Sequence, residues 1–171
     1  MSEAGRLSRG GLIGCGFVSR YHLQGWSRIR EARLVAICDL DPQALKCAVS
    51  LAPGARRYTD AEEMIWAEAQ SDEPLDFVEI CTRPESHRAL VELAARHHVH
   101  VLCQKPAAPS RADLLAMIQA GTEAGIRVMI HENWRFRPWY RAMKKEIDAG
   151  TIGRAKPDAC AARMNRRRSK S

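Results

Sequence analysis

A pair of glycines, Gly14 and Gly16, has the spacing of a phosphate-binding turn. The pair follows the apolar run GLIG and precedes a helical pattern, which is the context that such a turn requires. The first glycine permits a tight turn, and the second lets the backbone approach a pyrophosphate held at the helix N-terminus. Ser19 stands where a third glycine would allow close helix–strand packing, and its small side chain is a mild substitute. The pattern therefore predicts a dinucleotide-binding turn.

An acid at the end of the next apolar run extends this pattern. Asp39 closes the run LVAICD twenty residues beyond Ser19, where a carboxylate accepts hydrogen bonds from an adenosine ribose. Leu40 follows it, so no neighbouring arginine or serine is available for a 2′-phosphate, and NAD is favoured over NADP. Phe17 and Val18, at the start of the helix, are expected to bind the same cofactor. The alternative is a structural turn with a solvated aspartate.

Two later segments place polar residues at the carboxyl ends of strands, where ligands of a parallel sheet bind. The segment CTRPESH follows one apolar run and brings Thr82 with Pro84, although Thr82 alternatively only caps the next helix. The segment CQKPAA follows another run and carries Lys105 at the mouth of the strand, with Pro106 fixing the chain direction after it. This position favours a role in the site for Lys105 over a solvated surface charge.

The elements that must position these residues follow from the hydrophobic pattern. Short apolar runs rich in valine and isoleucine alternate with segments whose apolar residues recur every three or four positions, which predicts buried parallel strands joined by helices. The predicted strands are residues 11–14, 34–38, 77–81, 99–103 and 127–131, with 56–58 as a sixth, and the predicted helices are 17–30, 42–51, 60–69, 85–97 and 110–124. Right-handed crossovers then give an α/β fold with a doubly wound parallel sheet.

Composition and charge narrow the classes of function. The chain of 171 residues is 46% hydrophobic, lacks an apolar run of about 18 residues and has no signal-peptide pattern, which predicts a globular cytoplasmic protein without a membrane span. Residues 154–171 hold seven basic residues and one acid, so most of the net charge of +7 belongs to this tail. No basic face or aromatic platform accompanies the tail, which makes a nucleic-acid partner the weaker interpretation.

The cysteines and one histidine are expected to be structural. None of the six cysteines forms a C-x-x-C pair, and Cys15, Cys38, Cys81 and Cys103 lie in or beside apolar runs. This pattern predicts buried reduced thiols rather than disulfides or zinc ligands. His22 falls on the first predicted helix and is expected to be a surface or packing residue. The sequence therefore predicts no metal site.

Five segments, in this order and spacing, resemble the N-terminal half of the Gfo/Idh/MocA oxidoreductases, the glucose-fructose oxidoreductase and inositol dehydrogenase family. The resemblance runs from about Gly11 to Gly153 and rests on GLIGCG, ICD, ICTRPESH, HVLCQKP and HENWRFRPWYRAMKKEIDAGTIG. It implies a Rossmann-type NAD(P)-binding domain over residues 1–153 and a missing C-terminal α+β substrate domain. Residues 154–171 are then expected to be a disordered basic remnant of that domain's start, in a truncated chain.

The resemblance also implies roles for individual residues. The family's E-K-P motif falls on Lys105, as a catalytic residue beside the nicotinamide and the substrate hydroxyl. Gln104, expected in the cofactor site, replaces the motif's glutamate and removes the carboxylate that would hold and charge-pair the lysine. The other residues implied to bind the cofactor are Thr82, Pro84 and His87 of the T-P-x-x-H motif, despite an inserted Arg83, and Asn133, Trp134 and Arg135 of the N-W-R-F segment.

The resemblance implies the NAD-binding half of an oxidoreductase that acts on a sugar, an inositol or another polyol by hydride transfer. His131 ends the last predicted strand near the proposed site, where a polar contact to substrate is open to it. The alternative is a non-catalytic, truncated nucleotide-binding module. This chain is expected to be inactive alone and to self-associate, since the sheet of the missing domain covers one side of this domain in family members.

Overall fold

The computed structural model describes residues 6–153, without the side chain of Arg135. Six strands alternate with helices along the chain. The strands are β1 (Ser8–Ile13), β2 (Ala32–Cys38), β3 (Arg56–Tyr58), β4 (Phe77–Ile80), β5 (His100–Cys103) and β6 (Val128–Ile130). The helices are α1 (Ser19–Trp26), α2 (Pro42–Val49), α3 (Ala61–Ala69), α4 (Pro84–Arg96), α5 (Arg111–Glu123) and α6 (Pro138–Asp148), with a short 3₁₀ helix at Trp134–Phe136.

The six strands are all parallel and lie in the order β3-β2-β1-β4-β5-β6. The chain runs outward from β1 to β3, crosses back to β4 and runs outward again, so the strand order reverses between β1 and β4. In such sheets ligands bind at this switch point, outside the carboxyl ends of the strands. The predicted doubly wound α/β fold is confirmed, including the short strand β3.

Apolar side chains of the central strand pack on both faces of the sheet. Leu12 packs in a core with Leu23 of α1 and residues of α2. Its neighbour Ile13 packs in a second core with Met64 of α3 and Val91 of α4. Crossovers that run in opposite directions from the centre place helices on opposite faces, which explains the two cores. Each fully buried aliphatic side chain of this kind contributes about 1.5–3 kcal/mol.

The first helix is shorter than the predicted 17–30. It spans Ser19–Trp26, because the two residues before Ser19 belong to the preceding turn. Beyond its end, the Ser27 hydroxyl donates to the Gln24 carbonyl at 3.0 Å, which competes with continued helical hydrogen bonding. The other four predicted helices agree with α2 to α5 within two residues at each end.

The cysteines of the described residues are unpaired, as predicted. Cys15, Cys38 and Cys103 are buried, Cys81 is half-buried and Cys47 is exposed. Burial raises the pKa of Cys15, Cys38 and Cys103 to about 12 and also raises the pKa of Cys81. These four thiols therefore remain protonated and unreactive at neutral pH.

Residues up to His131 form one compact unit, and a second unit begins at Glu132. Within the second unit, the Trp134 and Tyr140 rings meet edge to face with centroids 5.9 Å apart. The predicted domain boundary at 153 stays a prediction, and the predicted tail of 154–171 lies outside the described residues. Across the part of the chain that the structure describes, no helix combines the length and apolar character needed to cross a membrane.

Candidate dinucleotide-binding site

The glycine turn lies at the carboxyl end of β1, beside the ends of β2 and β4. Gly14 has a φ of 94°, and its N–H donates to the Cys38 carbonyl at 2.8 Å. A Cβ on Gly14 would lie 2.8 Å from the carbonyl carbon of Cys81 and 2.9 Å from Thr82, so only glycine fits. A Cβ on Gly16 would meet no described atom within 4 Å. The turn is thus packed against the sheet at Gly14 and open at Gly16.

The start of α1 suits an anionic group. In this fully described helix no side chain caps the N-terminus and no acidic residue lies in the first turn, whereas Asp41, Asp60 and Ser110 cap α2, α3 and α5. Uncapped N–H groups and the positive end of the helix dipole favour a phosphate. Phe17 and Val18, just before the helix, are 71% and 42% exposed, so ligands have access to this turn.

Two side chains hold the glycine turn in place. One carboxylate oxygen of Asp39 accepts from the Cys15 N–H at 2.6 Å, and the other accepts from the Asp41 N–H at 2.8 Å. Ser19 is buried, and its hydroxyl donates to the Gly16 carbonyl at 2.6 Å. Asp39 is therefore more than a solvated charge, which was the alternative left open by the sequence. Each of its oxygens keeps a lone pair that a ribose hydroxyl can use.

The residues of the T-P-x-x-H motif join the loops that follow β4 and β5. Pro84 begins α4 and Arg83 occupies the N-cap position, so the alternative that Thr82 caps this helix is wrong. His87 is fully buried, with Nδ1 3.0 Å from the Ala107 carbonyl oxygen and Nε2 3.1 Å from the Thr82 carbonyl oxygen. A neutral imidazole donates to only one of these two acceptors. His87 connects two loops of the site, and its predicted contact with the cofactor stays a prediction.

The loop after β5 exposes Lys105, whose peptide bond to Pro106 is cis. The Gln104 side chain lies beneath it: Oε1 accepts from the Lys105 backbone N–H at 2.7 Å, and Nε2 lies 2.9 Å from Nε2 of His22. The backbone N–H of Gln104 donates to the Ile80 carbonyl at 2.9 Å. The glutamine thus holds the backbone of Lys105 rather than its ammonium group.

A buried polar cluster beside this loop is a feature that the sequence analysis missed. Glu79 is only 1% exposed. Its Oε1 lies 2.7 Å from Nδ1 of His22 and 3.4 Å from Nε2 of His131, and its Oε2 accepts from Nε1 of Trp26 at 2.6 Å. The expectation that His22 is only a surface or packing residue is wrong, because a buried carboxylate draws it into a hydrogen bond. A charged residue inside the apolar run FVEIC was the available signal.

The same cluster borders a cavity of about 420 Å³. Ligand atoms of His22, Glu79 and His131 lie within 4.8 Å of one another, a spacing that metal sites also use. The 2.7 Å between His22 Nδ1 and Glu79 Oε1 is also a hydrogen-bond distance. Burial lowers the pKa of His131, which keeps its ring neutral at pH 7. The cluster forms a hydrogen-bond network, and the absence of a metal stays a prediction.

Three residues assigned to the nicotinamide end belong to the second unit. Asn133 occupies the N-cap position of the 3₁₀ helix. Trp134 is exposed, and its backbone N–H donates to a carboxylate oxygen of Glu132 at 3.3 Å. The side chain of Arg135 lies outside the described residues. The predicted contacts of these residues with the nicotinamide stay predictions.

The strand order, the open glycine turn after the central strand and the acid after β2 together define a Rossmann-type dinucleotide-binding domain. The model of the Gfo/Idh/MocA family, described as an oxidoreductase family with an NAD-binding Rossmann fold, matches residues 8–132. The chain belongs to this family and contains its NAD-binding Rossmann domain.

Similar proteins carry dehydrogenase names. D-apiose dehydrogenase of Paraburkholderia graminis is 46% identical over 145 residues, which cover 85% of this chain and 37% of that protein. Inositol 2-dehydrogenase of Rhizobium meliloti is 34% identical over 146 residues, which cover 85% of this chain and 42% of that protein. A crystal structure of an Agrobacterium radiobacter oxidoreductase with NAD⁺, L-tartaric acid and magnesium has a TM-score of 0.79 and 41% identity, over 86% of this chain and 42% of that chain. The chain therefore spans 37% to 42% of the length of these relatives.

Proposed function

We propose that the chain supplies the NAD-binding half of a dehydrogenase that acts on a sugar, an inositol or another polyol. The observation that carries the proposal is the open glycine turn, which Asp39 fastens within the family's Rossmann domain. Relatives named apiose and inositol dehydrogenases support a small polyhydroxylated substrate. The substrate and the activity belong to the proposal, because the chain spans 37% and 42% of those two proteins.

The residues of the turn fit a dinucleotide. The pyrophosphate would occupy the space above Gly16, next to the N–H groups around Phe17 and Val18 at the start of α1. Asp39 would accept hydrogen bonds from the adenosine ribose through its remaining lone pairs. The same carboxylate would repel a 2′-phosphate, so NAD is the cofactor rather than NADP.

Lys105 is the proposed catalytic residue. When NAD is bound, C4 of its nicotinamide ring accepts a hydride from the carbinol carbon of the substrate. The Lys105 ammonium group would donate a hydrogen bond to the carbinol oxygen, which orients the hydroxyl group and stabilises its deprotonated form. Gln104 fixes the backbone from which this side chain extends. Thr82 and Pro84 would form the adjoining wall, with His87 holding their loop from beneath.

Asn133, Trp134 and Arg135 are proposed to contribute to the nicotinamide end of the site. An exposed tryptophan and an amide are groups that stack on, and hydrogen-bond to, a carboxamide-bearing aromatic ring. His131, which follows β6, is a further candidate for a polar contact with the substrate.

A non-catalytic NAD-binding module is the second candidate. Both candidates bind NAD, and only the first has turnover. We place either function in the cytoplasm, which unpaired cysteines support because disulfides are rare there. We also propose self-association through exposed apolar side chains of α6 such as Trp139 and Met143, whereas a nucleic-acid partner has no support beyond the basic composition.

Substitution of Gly16 by alanine tests the site directly. Gly16 lies in open space and outside the left-handed region, so the variant should fold, while its methyl group fills the approach to the pyrophosphate. We expect the Kd for NAD, measured by titration calorimetry, to rise about tenfold or more.

Gly25→Ala is the matched control, because Gly25 also lies in open space on α1 and away from the turn. Its Kd for NAD should stay within about twofold of that of the unsubstituted protein. The proposal fails if the unsubstituted protein does not bind NAD, or if both variants bind it equally well.

A further inference from the structure

A continuous chain of hydrogen bonds runs from buried Glu79 to the backbone of Lys105. It passes through His22 and Gln104, with contacts of 2.7, 2.9 and 2.7 Å in that order. We propose that His22 is a positioning residue, which in its neutral Nδ1–H tautomer holds Gln104 and thereby the backbone of Lys105. The value of this arrangement for catalysis rests on the proposed function. The arrangement itself rests only on the contacts between three side chains and the backbone N–H of Lys105.

The donor and acceptor roles follow from the Lys105 end of this series of hydrogen bonds. A backbone N–H only donates, so the Gln104 atom that faces the Lys105 N–H is the amide oxygen. The amide nitrogen then faces His22 and donates to Nε2, which must carry a lone pair. The ring proton of neutral His22 is therefore on Nδ1, from which it is donated to Oε1 of Glu79. Each group in this series of hydrogen bonds therefore has one compatible role as donor or acceptor.

Glu79 is buried and hydrogen-bonded at both oxygens, so it fixes one end of this series of hydrogen bonds. The carboxylate is 1% exposed, and its second oxygen is occupied by the Trp26 N–H at 2.6 Å. His131, the other ring that faces the carboxylate, lies 3.4 Å away and is kept neutral because burial lowers its pKa. A charge-assisted bond to His22 in this low-dielectric setting orients the ring and makes Nε2 a better acceptor for Gln104.

This series of hydrogen bonds from Glu79 through His22 and Gln104 to Lys105, the His22 relay, also explains why a glutamine suits position 104. A carboxylate there would accept from the Lys105 N–H equally well, but its second oxygen would face the lone pair on Nε2 of His22. That contact becomes favourable only if His22 takes up a second proton and bridges two carboxylates. Gln104 is thus matched to a neutral His22, and the replacement of an acid at this position does not leave the lysine loop unsupported.

The tautomer of His22 is the first readout. We expect long-range ¹H–¹⁵N spectra of the histidine-labelled chain at neutral pH to show a protonated Nδ1 and an unprotonated Nε2 for His22, opposite to the tautomer that free histidine favours in water. In Gln104→Glu, both nitrogens of His22 should carry protons at the same pH. An Nε2–H tautomer in the unsubstituted chain would overturn the proposal.

Hydrogen exchange at the Lys105 amide is the second readout. In Gln104→Ala this amide loses its acceptor and should exchange about five- to tenfold faster. Gln119→Ala is the matched control, because Gln119 lies on α5 and its side-chain amide donates to exposed Glu123 at 2.8 Å. Unchanged exchange at Lys105 in Gln104→Ala would overturn the relay.

These measurements separate the relay from the function proposed above. Neither the tautomer nor the amide exchange requires NAD, so both are read on the unliganded chain. The expected tautomer in a chain that does not bind NAD would contradict the proposed function alone. The opposite tautomer in a chain that binds NAD would contradict the relay alone.

Discussion

Asp39 combines two roles in one carboxylate. Its oxygens accept the N–H groups of Cys15 and Asp41, which ties the glycine turn to the end of β2. Its negative charge lies where the proposed ribose would bind. Removal of the side chain therefore changes both the shape of the turn and the charge beside the ligand. A substitution by alanine cannot separate these effects, whereas asparagine keeps the size and one acceptor oxygen.

We expect Asp39→Asn to lower the ratio of the Kd for NADP to the Kd for NAD by about tenfold, since like charges near a protein surface repel by about 1–4 kcal/mol. Titration calorimetry with both cofactors gives the ratio of the two Kd values. Asp60→Asn serves as the control because Asp60 only caps α3, and asparagine caps equally well. An unchanged ratio in Asp39→Asn would remove Asp39 from the ribose site.

The elements of the fold were predictable because their signals are local. β-branched apolar runs such as the one in β2 and the helix-period pattern of α4 each depend on a few adjacent residues. The ends of α1 were predicted less well, since the glycine turn uses the two residues before Ser19. The His22 relay was not predicted at all. Its contacts join residues 57 and 82 positions apart, which only the packing of α1 against β4 and β5 brings together.

Strand ends also contain thiols that make stability depend on pH. The pKa of Cys103, at the end of β5, is raised from 9.0 to about 12 by burial. The folded state therefore holds this proton more tightly than the unfolded state, so the contribution to stability is complete below pH 9 and is lost as the pH rises toward 12. We expect Cys103→Ala to flatten the decline in the free energy of unfolding over this range, as measured by urea unfolding. Exposed Cys47→Ala should leave the slope unchanged, and parallel curves for all three proteins would contradict this assignment.

The unit up to His131 contains the glycine turn, Asp39 and Lys105, whereas Asn133, Trp134 and Arg135, which are proposed for the nicotinamide end, belong to the second unit. The family model ends at residue 132, next to the start of the second unit at Glu132. The proposed contacts with the pyrophosphate and the adenosine ribose of NAD therefore all lie in the first unit. Turnover demands more, because a polyol must also be held against the cofactor.

The last prediction distinguishes the catalytic half from the non-catalytic module. General acid–base assistance is worth about 10²–10⁴-fold, and positioning of the substrate contributes at least as much. Among the described residues, Lys105 is proposed to supply part of the first, and Lys105 and His131 are the residues proposed to contact a polyol. We therefore expect the purified chain to bind NAD without measurable reduction of it in the presence of sugars, inositols or other polyols, as followed by the absorbance of NADH. Sedimentation in the same buffer reports whether the exposed apolar side chains, including Trp139 and Met143, assemble the chain into oligomers. A protein-dependent rise in NADH that saturates with one polyol and disappears in Lys105→Ala would show that the chain is an enzyme by itself or through such assembly.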